Sequence, residues 1–152
     1  MRLACSVSQA QVYRMKQALH RLTIATNGPG LVEVTDQVCR WSSAQGIHIG
    51  LLTIWCRHTS ASLLVQENAD PDVRADLQAF FRRLAPEHAG YRHEDEGPDD
   101  MPAHIRSALT QTQLGIPIEQ GRPVLGTWQG IYLFEHRVNP HHRELVLHLI
   151  GD

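Results

Sequence analysis

Residues 115–137 read GIPIEQGRPVLGTWQGIYLFEHR, and the fold class turns on how they divide. Gln120-Gly121 is a turn signal, because glycine accepts the positive φ that a tight hairpin demands. Short strands are expected on either side of it. A further strand is expected from about Thr127 to Arg137, with Ile131, Leu133 and Glu135 on one face and Tyr132, Phe134 and His136 on the other. Gly126 and Gly130 sit at its entry, where glycines mark a bulge or the close approach of a ligand or backbone. Strands linked by turns this short pair antiparallel.

Working outward, RELVLHLIG (143–151) reads as a closing strand and residues 18–25 as an opening one. The stretch GIHIGLLTIWCRHTS (46–60) is a long, mostly buried strand ending near Arg57. Between these lie helical signals. Thr35 is expected to cap a helix carrying Val38, Trp41 and Gln45. Asp70 and Pro71 start the best helix, whose Val73, Leu77, Phe80, Phe81 and Leu84 fall on one face, and Pro86 stops it. Asp100 is expected to cap a short third helix through Ile105 and Leu109. Strands and helices in this order indicate an α+β fold: one compact domain, largely antiparallel and sandwich-like, with two or three helices. Residues 1–16 read as an N-terminal extension ahead of a domain at 17–152.

Composition narrows the function classes. With 152 residues, 42% hydrophobic and 20% charged, the chain can bury a core and is not a disordered segment. A net charge of −2 argues against wrapping nucleic acid, which needs many uncompensated cations. No apolar run approaches a membrane span. The start of the chain has no continuous apolar region of the secretory kind. Three cysteines, Cys5, Cys39 and Cys56, with no CxxC spacing, fit a reducing cytoplasm.

Histidine stands out, with ten in the chain and seven after residue 87. The loop YRHEDEGPDDMPAHI (91–105) crowds carboxylates beside His93 and His104. Asp99 and Asp100 suit Mg²⁺, which takes one or two carboxylates plus phosphate oxygens, whereas the imidazoles suit zinc. His58, at the strand end in CRHTSASL, can ligate a metal or hold a phosphate with Thr59 and Ser60 beside it. Glu67 and Asn68 precede the second helix. Thr127, Trp128 and Gln129 lie between the paired glycines. Each of these stretches also has a plainer reading as a solvated turn, a capped helix or a sheet bend.

Taken together, HTSASL, ENADPDVRADL, YRHEDEGPDDMPAHI, IPIEQGR and GTWQGIYLFEHR resemble, in this order, the YjbQ family, over about residues 19–151. The resemblance implies a homotrimer with polar motifs gathered at subunit contacts, and a weak, secondary thiamine-phosphate synthase activity. It carries over His58, Thr59, Ser60, Glu67, Asn68 and Asp70, then His93, Asp99, Asp100 and His104, and lastly Gly126 to Gln129 with Glu135. Gln66 and Gln111 depart from the family's usual residues, which leaves the loop at Gln111 in question.

The implied reaction joins a pyrimidine methyl diphosphate to a thiazole phosphate and expels pyrophosphate. It needs stabilisation of a leaving diphosphate rather than a general base. On this reading Asp99, Asp100, Glu67, Asn68 and Arg143 are the catalytic set. Thr59, Ser60, Arg106, Thr127, Trp128 and Gln129 bind the small phosphorylated substrate, and Arg137 is a further phosphate partner. His58, His93 and His104 are expected to hold a divalent metal, Mg²⁺ or Zn²⁺, with Asp99 or Asp100 accepting a ligand's second ring N–H. Because three histidines fit the synthase poorly, the alternative is a metal-binding trimer that hydrolyses a small phosphorylated compound or performs no catalysis.

Overall fold

A computed structural model describes residues 14–152, so residues 1–13, including Cys5 and most of the expected extension, lie outside the described residues. The chain runs β1 (Lys16–Thr26), β2 (Gly30–Glu33), α1 (Thr35–Ser43), β3 (Gly50–Cys56), β4 (Ala61–Glu67) and α2 (Pro71–Leu84). It continues through α3 (Asp100–Leu109), β5 (Gln113–Glu119), β6 (Arg122–Pro123), β7 (Gln129–Glu135) and β8 (His141–Gly151). One sheet has the order β1-β8-β3-β5-β6 and the other β2-β7-β4, and every strand pair is antiparallel. This is the α+β sandwich expected from the pattern.

The Gln120-Gly121 turn has φ of 51° and 75° at its two central residues, the sign pattern that matches strand twist in a two-residue hairpin. Along β8 the odd positions from Arg143 to Gly151 are buried and the even ones half-exposed, as a strand with one face on a core requires. Leu145, Leu147 and Leu149 meet Leu52 and Ile54 of β3 and Ile116 of β5. This layer packs on Leu63, Ile131 and Leu133 of the second sheet. β7 is central in its sheet and buried on both faces. On its far side Phe134 packs edge-on against Phe81 of α2, ring centroids 5.4 Å apart.

The local signals hold unevenly. Asp70 caps α2 as expected, accepting the Asp72 N–H at 2.9 Å. Thr35 does not cap α1: Val34 is the cap residue. The Thr35 hydroxyl instead donates to Glu33 and accepts the Ile131 N–H at 2.9 Å, tying α1 to β7. Asp100 is the first residue of α3, and Asp99 stands at the cap position without a side-chain cap bond. The apolar face of α2 is only partly used, since Phe80 and Leu84 remain exposed. Cys39 and Cys56 are free. Among the described residues no helix is long and apolar enough to cross a membrane.

Candidate functional site

The acidic loop reaches α3 through Gly97, whose φ of 108° is open to glycine but strained for other residues. The Asp100 N–H donates to Gly97 O at 3.2 Å, so the GPDD word is a turn that delivers two aspartates to the start of a helix. Arg137, just past β7, fastens that turn. Its Nε donates to Asp99 Oδ2 at 2.9 Å, one terminal nitrogen pairs with Asp100 Oδ1, and the other donates to Glu96 O at 2.7 Å. Burial pushes the Asp99 carboxyl up, but the Val138 amide and the Arg137 guanidinium outweigh it, and the net effect is below the ordinary range.

Asp100 therefore has one oxygen committed to Arg137 and one free to face elsewhere. Oδ2 lies 2.7 Å from His93 Nε2 and 3.2 Å from His104 Nε2. Asp100 and His104 share a helix face because they are one turn apart. One ligand atom from each of His93, Asp100 and His104 lies within 4.8 Å of the other two. Around a tetrahedral ion with bonds of ~2.1 Å, ligand atoms sit about 3.4 Å apart, so small side-chain movements suffice. The other nitrogen of His104, Nδ1, is 3.1 Å from the Thr59 carbonyl. A carbonyl only accepts, so Nδ1 carries a proton, and Nε2, turned to Asp100, is the nitrogen that would ligate an ion. Two carboxylates, Asp99 and Asp100, share the one buried guanidinium of Arg137, which leaves a negative charge beside two imidazoles. His93 and Glu94 also line an adjoining cleft of about 350 Å³ with Glu87, His88 and Tyr91.

His58 is placed elsewhere. Where β3 leaves the sheet, Arg57 N–H still donates to Glu144 O, and the Glu144 N–H donates to His58 Nε2 at 2.8 Å. The imidazole stands in for the carbonyl that a continuing strand would have supplied. Asp100, not His58, completes the group with His93 and His104. Thr59 enters that group through its backbone, so the second ring N–H has a carbonyl partner rather than the aspartate expected.

The arginines expected on phosphate are committed internally. Arg143 donates to both oxygens of Glu135, at 2.7 and 2.5 Å, and reaches the Ser60 carbonyl at 3.4 Å. Glu135 also accepts from Thr26 Oγ1 at 2.7 Å and from the backbone N–H groups of His136 and Arg137. Burial raises its pKa, but Arg143 and these donors more than offset that, holding it ionised. Arg106 is buried and donates to Ala85 O at 2.7 Å. Arg143 has no free fork for a ligand, and Arg106, whose Nε has no partner, is enclosed. His136 lies 2.8 Å from Ser62 Oγ, which resembles a base and nucleophile, yet both residues are fully enclosed.

The remaining expected residues form a second patch. The Asn68 N–H donates to Trp128 O at 3.0 Å, and Gln129 Oε1 accepts the Gly126 N–H at 2.8 Å. Glu67 pairs across the sheet with Gln129. A Cβ on Gly130 would lie 2.9 Å from Glu33 Oε1 and 3.0 Å from the Asn68 Cβ, so this glycine serves close approach. Thr127 and Trp128 are exposed, Trp128 by 63% rather than buried in a core. The patch lies at the Glu67 end of β4 and the Thr59–Ser60 turn at the Ala61 end, ~20 Å apart at the rise of a strand.

Residues 20–152 match the family described as UPF0047 protein YjbQ-like. The chain belongs to this family. It is 51% identical over 147 residues to a UPF0047 protein of Synechocystis, covering 96% of this chain and 99% of that protein. It is 42% identical over 132 residues to UPF0047 protein YjbQ of Escherichia coli O157:H7, covering 86% and 96%. Among solved structures, a YbjQ-like protein of unknown function from Sulfolobus solfataricus superposes with a TM-score of 0.85 at 22% identity, covering 91% of this chain and all of that one. A conserved hypothetical protein from Thermus thermophilus gives 0.74 at 38% identity, covering 84% and 97%.

In this YjbQ-like chain the chemistry available at the first site is that of two imidazoles and a monodentate carboxylate. Three such ligands leave coordination positions open, as catalytic zinc sites do, and the same set suits other first-row divalent ions. Imidazole is a poor partner for Mg²⁺. The signal that finds the cluster in sequence is the D-x-x-x-H spacing at 100–104. The buried Glu135–Arg143 pair was signalled only by charged residues at inward positions of apolar strands.

Proposed function

We propose that His93, Asp100 and His104 bind one divalent transition-metal ion and that the protein hydrolyses a small phosphorylated compound there. The observation that carries this reading is the orientation of His104, whose Nδ1 is held by the Thr59 carbonyl while Nε2 faces Asp100 and His93. An ion at this place would supply charge stabilisation at a phosphoryl oxygen and a water of lowered pKa. Asp100 would give the ion one carboxylate oxygen, and Arg137 holds that carboxylate in place. Hydrolysis is preferred to the two-substrate condensation because Arg137 and Arg143 are engaged inside the protein and Arg106 is buried.

The thiamine-phosphate synthase reading is the second one. It draws support from the Glu87 and Glu94 carboxylates on the adjoining cleft, which suit Mg²⁺ bridged to a diphosphate. The experiment is common to both. Protein purified without chelator is assayed for metal by mass spectrometry, then offered p-nitrophenyl phosphate, and separately the pyrimidine diphosphate with the thiazole phosphate. About one zinc-class ion per chain and metal-dependent phosphate release support hydrolysis. A metal-free chain that makes thiamine phosphate only with Mg²⁺ replaces that reading with the second.

The homotrimer belongs to the same proposal. It is supported by the outer face of the five-stranded sheet at the Gly50 end of β3, where Leu19 and Leu51 are exposed with Ile150 beside Leu51 in register. A cytoplasmic setting, in keeping with the free thiols, is part of this reading too.

A further inference from the structure

His58 is left without the metal role that its sequence context predicts, but its geometry fixes another property. A backbone N–H can only donate, so the 2.8 Å contact from Glu144 N makes His58 Nε2 an acceptor. The ring proton of the neutral imidazole is then on Nδ1. Burial, and after it the Arg143 guanidinium, hold His58 below the ordinary histidine range, so the neutral form prevails near pH 7. Protonation would also forfeit the Glu144 bond. His58 is thus a histidine of one tautomer, presenting one donor.

It presents that donor beside a cleft. Trp55, Cys56, Arg57, His58, Thr59 and Thr112 line a space of about 420 Å³, a size that accepts a small organic molecule. Trp55 is 46% exposed, leaving indole surface open at its wall. Arg57 adds a guanidinium, already paired with Glu144 at 2.5 Å. Nothing charged in the lining is acidic. The cleft therefore combines a flat apolar wall with hydrogen-bond donors, which matches a planar ring carrying oxygen or nitrogen acceptors. It also adjoins the metal-binding group, because the Thr59 that lines it holds His104 through its carbonyl at 3.1 Å.

We propose that this cleft is a ligand subsite for a planar, acceptor-bearing ring, which stacks on Trp55 and receives a hydrogen bond from Nδ1–H of His58. The assignment extends the reading of a small phosphorylated substrate by naming the organic part of that substrate. His58 acts here as a binding residue. Its ring is held ready by the end of the sheet, so little conformational freedom is lost when a ligand docks.

The test is a calorimetric titration of the full-length protein with uridine, cytidine and adenosine 5′-monophosphates, and with ribose 5-phosphate as the ringless comparison. It is run on metal-loaded and on chelator-treated protein. At least one nucleotide is expected to bind on the order of tenfold tighter than ribose 5-phosphate in both preparations. His58→Gln keeps an acceptor for the Glu144 N–H but has no donor at the Nδ1 position. It should fold as the parent does and lose about tenfold in nucleotide affinity. His58→Asn restores a donor near Nδ1 without the acceptor, and should bind as the parent does while being less stable. Long-range ¹H–¹⁵N correlation spectra should show His58 protonated at Nδ1 at pH 7. Three nucleotides no tighter than ribose 5-phosphate, an unchanged His58→Gln, or an Nε2–H tautomer each overturns the proposal. Ring binding that persists while metal is absent from the purified protein leaves the subsite standing and removes only the metal reading.

Discussion

His93 and Asp100 meet at 2.7 Å through a single carboxylate oxygen, Oδ2, while the other oxygen of Asp100 is held by Arg137. A carboxylate divided in this way is aimed. The oxygen turned to His93 also faces His104, and the charge it carries is only partly matched because Arg137 serves Asp99 as well.

Asp100→Asn tests that aim. The amide keeps the shape but would give an ion a neutral oxygen, and it leaves Arg137 with one buried carboxylate instead of two. Zinc affinity, measured by competition with a chromophoric chelator, should fall on the order of a hundredfold. Affinity within twofold of the parent removes Asp100 from the ligand set.

Arg137→Leu should be the substitution most damaging to the acidic loop. It strands the buried carboxylates of Asp99 and Asp100 and frees the Glu96 carbonyl. Breaking one side of a buried pair costs roughly 3–5 kcal/mol, read as a lower midpoint in urea with an unchanged slope. Adding Asp99→Asn to Arg137→Leu should recover part of the loss. A loss below about 1 kcal/mol in the single variant speaks against the loop's dependence on this side chain.

His136 predicts a pH effect with a definite sign. Burial, then Arg106, lower its pKa from 6.5 to about 3. Between those values the unfolded chain binds a proton that the folded one refuses, so stability rises with pH across this window. From His136 alone, stability is full above pH 6.5 and falls by about 1.4 kcal/mol per pH unit as acid is added, until pH nears 3. Asp99 and Glu135, held below the ordinary carboxylate range, add their own loss below about pH 4. His136→Gln should remove one proton from the slope between pH 6 and 4. Equal slopes in the two proteins contradict the assignment.

Leu51→Glu places a charge in the middle of the uncovered sheet face, where Leu51 pairs with Ile150 and Pro117. The parent should behave as a trimer by light scattering at micromolar concentration and the variant as a monomer with an unchanged circular dichroism spectrum. A monomeric parent ends the trimer proposal.

What the sequence made legible was local. The Asp70 cap, the Gln120-Gly121 turn and the closing strand β8 each depend on neighbours a few residues away, and each is found where expected. The site depended on distant groups. The partner of His58 is a backbone N–H 86 residues on, and that of His104 is a backbone carbonyl 45 residues back. A backbone group has no letter in the sequence, so a histidine bound to one looks free for a metal. The burial of Arg106 and Arg143 is hidden from the sequence for a related reason. A guanidinium that binds a phosphate and one that satisfies buried carbonyls or a carboxylate are the same letter, and only burial distinguishes them. Asp99 and Asp100 are adjacent, and their division into a helix-entry anchor and a cluster member appears only once Arg137 arrives from the end of β7.

The enclosed Glu135–Arg143 pair has a consequence for how the chain finds its arrangement. A buried ion pair is weak evidence for stability, since apolar residues of the same volume often do as well. Position is another matter. β8 pairs with β1 over eleven residues of repetitive alternation, and a shift by two residues would still present leucines to the core. Such a shift would carry Arg143 ~7 Å along the strand and leave Glu135, on the opposite sheet, enclosed without its cation. One-residue slips are already penalised by the alternation itself. The pair therefore penalises the misalignment that the apolar residues tolerate, and it indexes one sheet of the sandwich against the other.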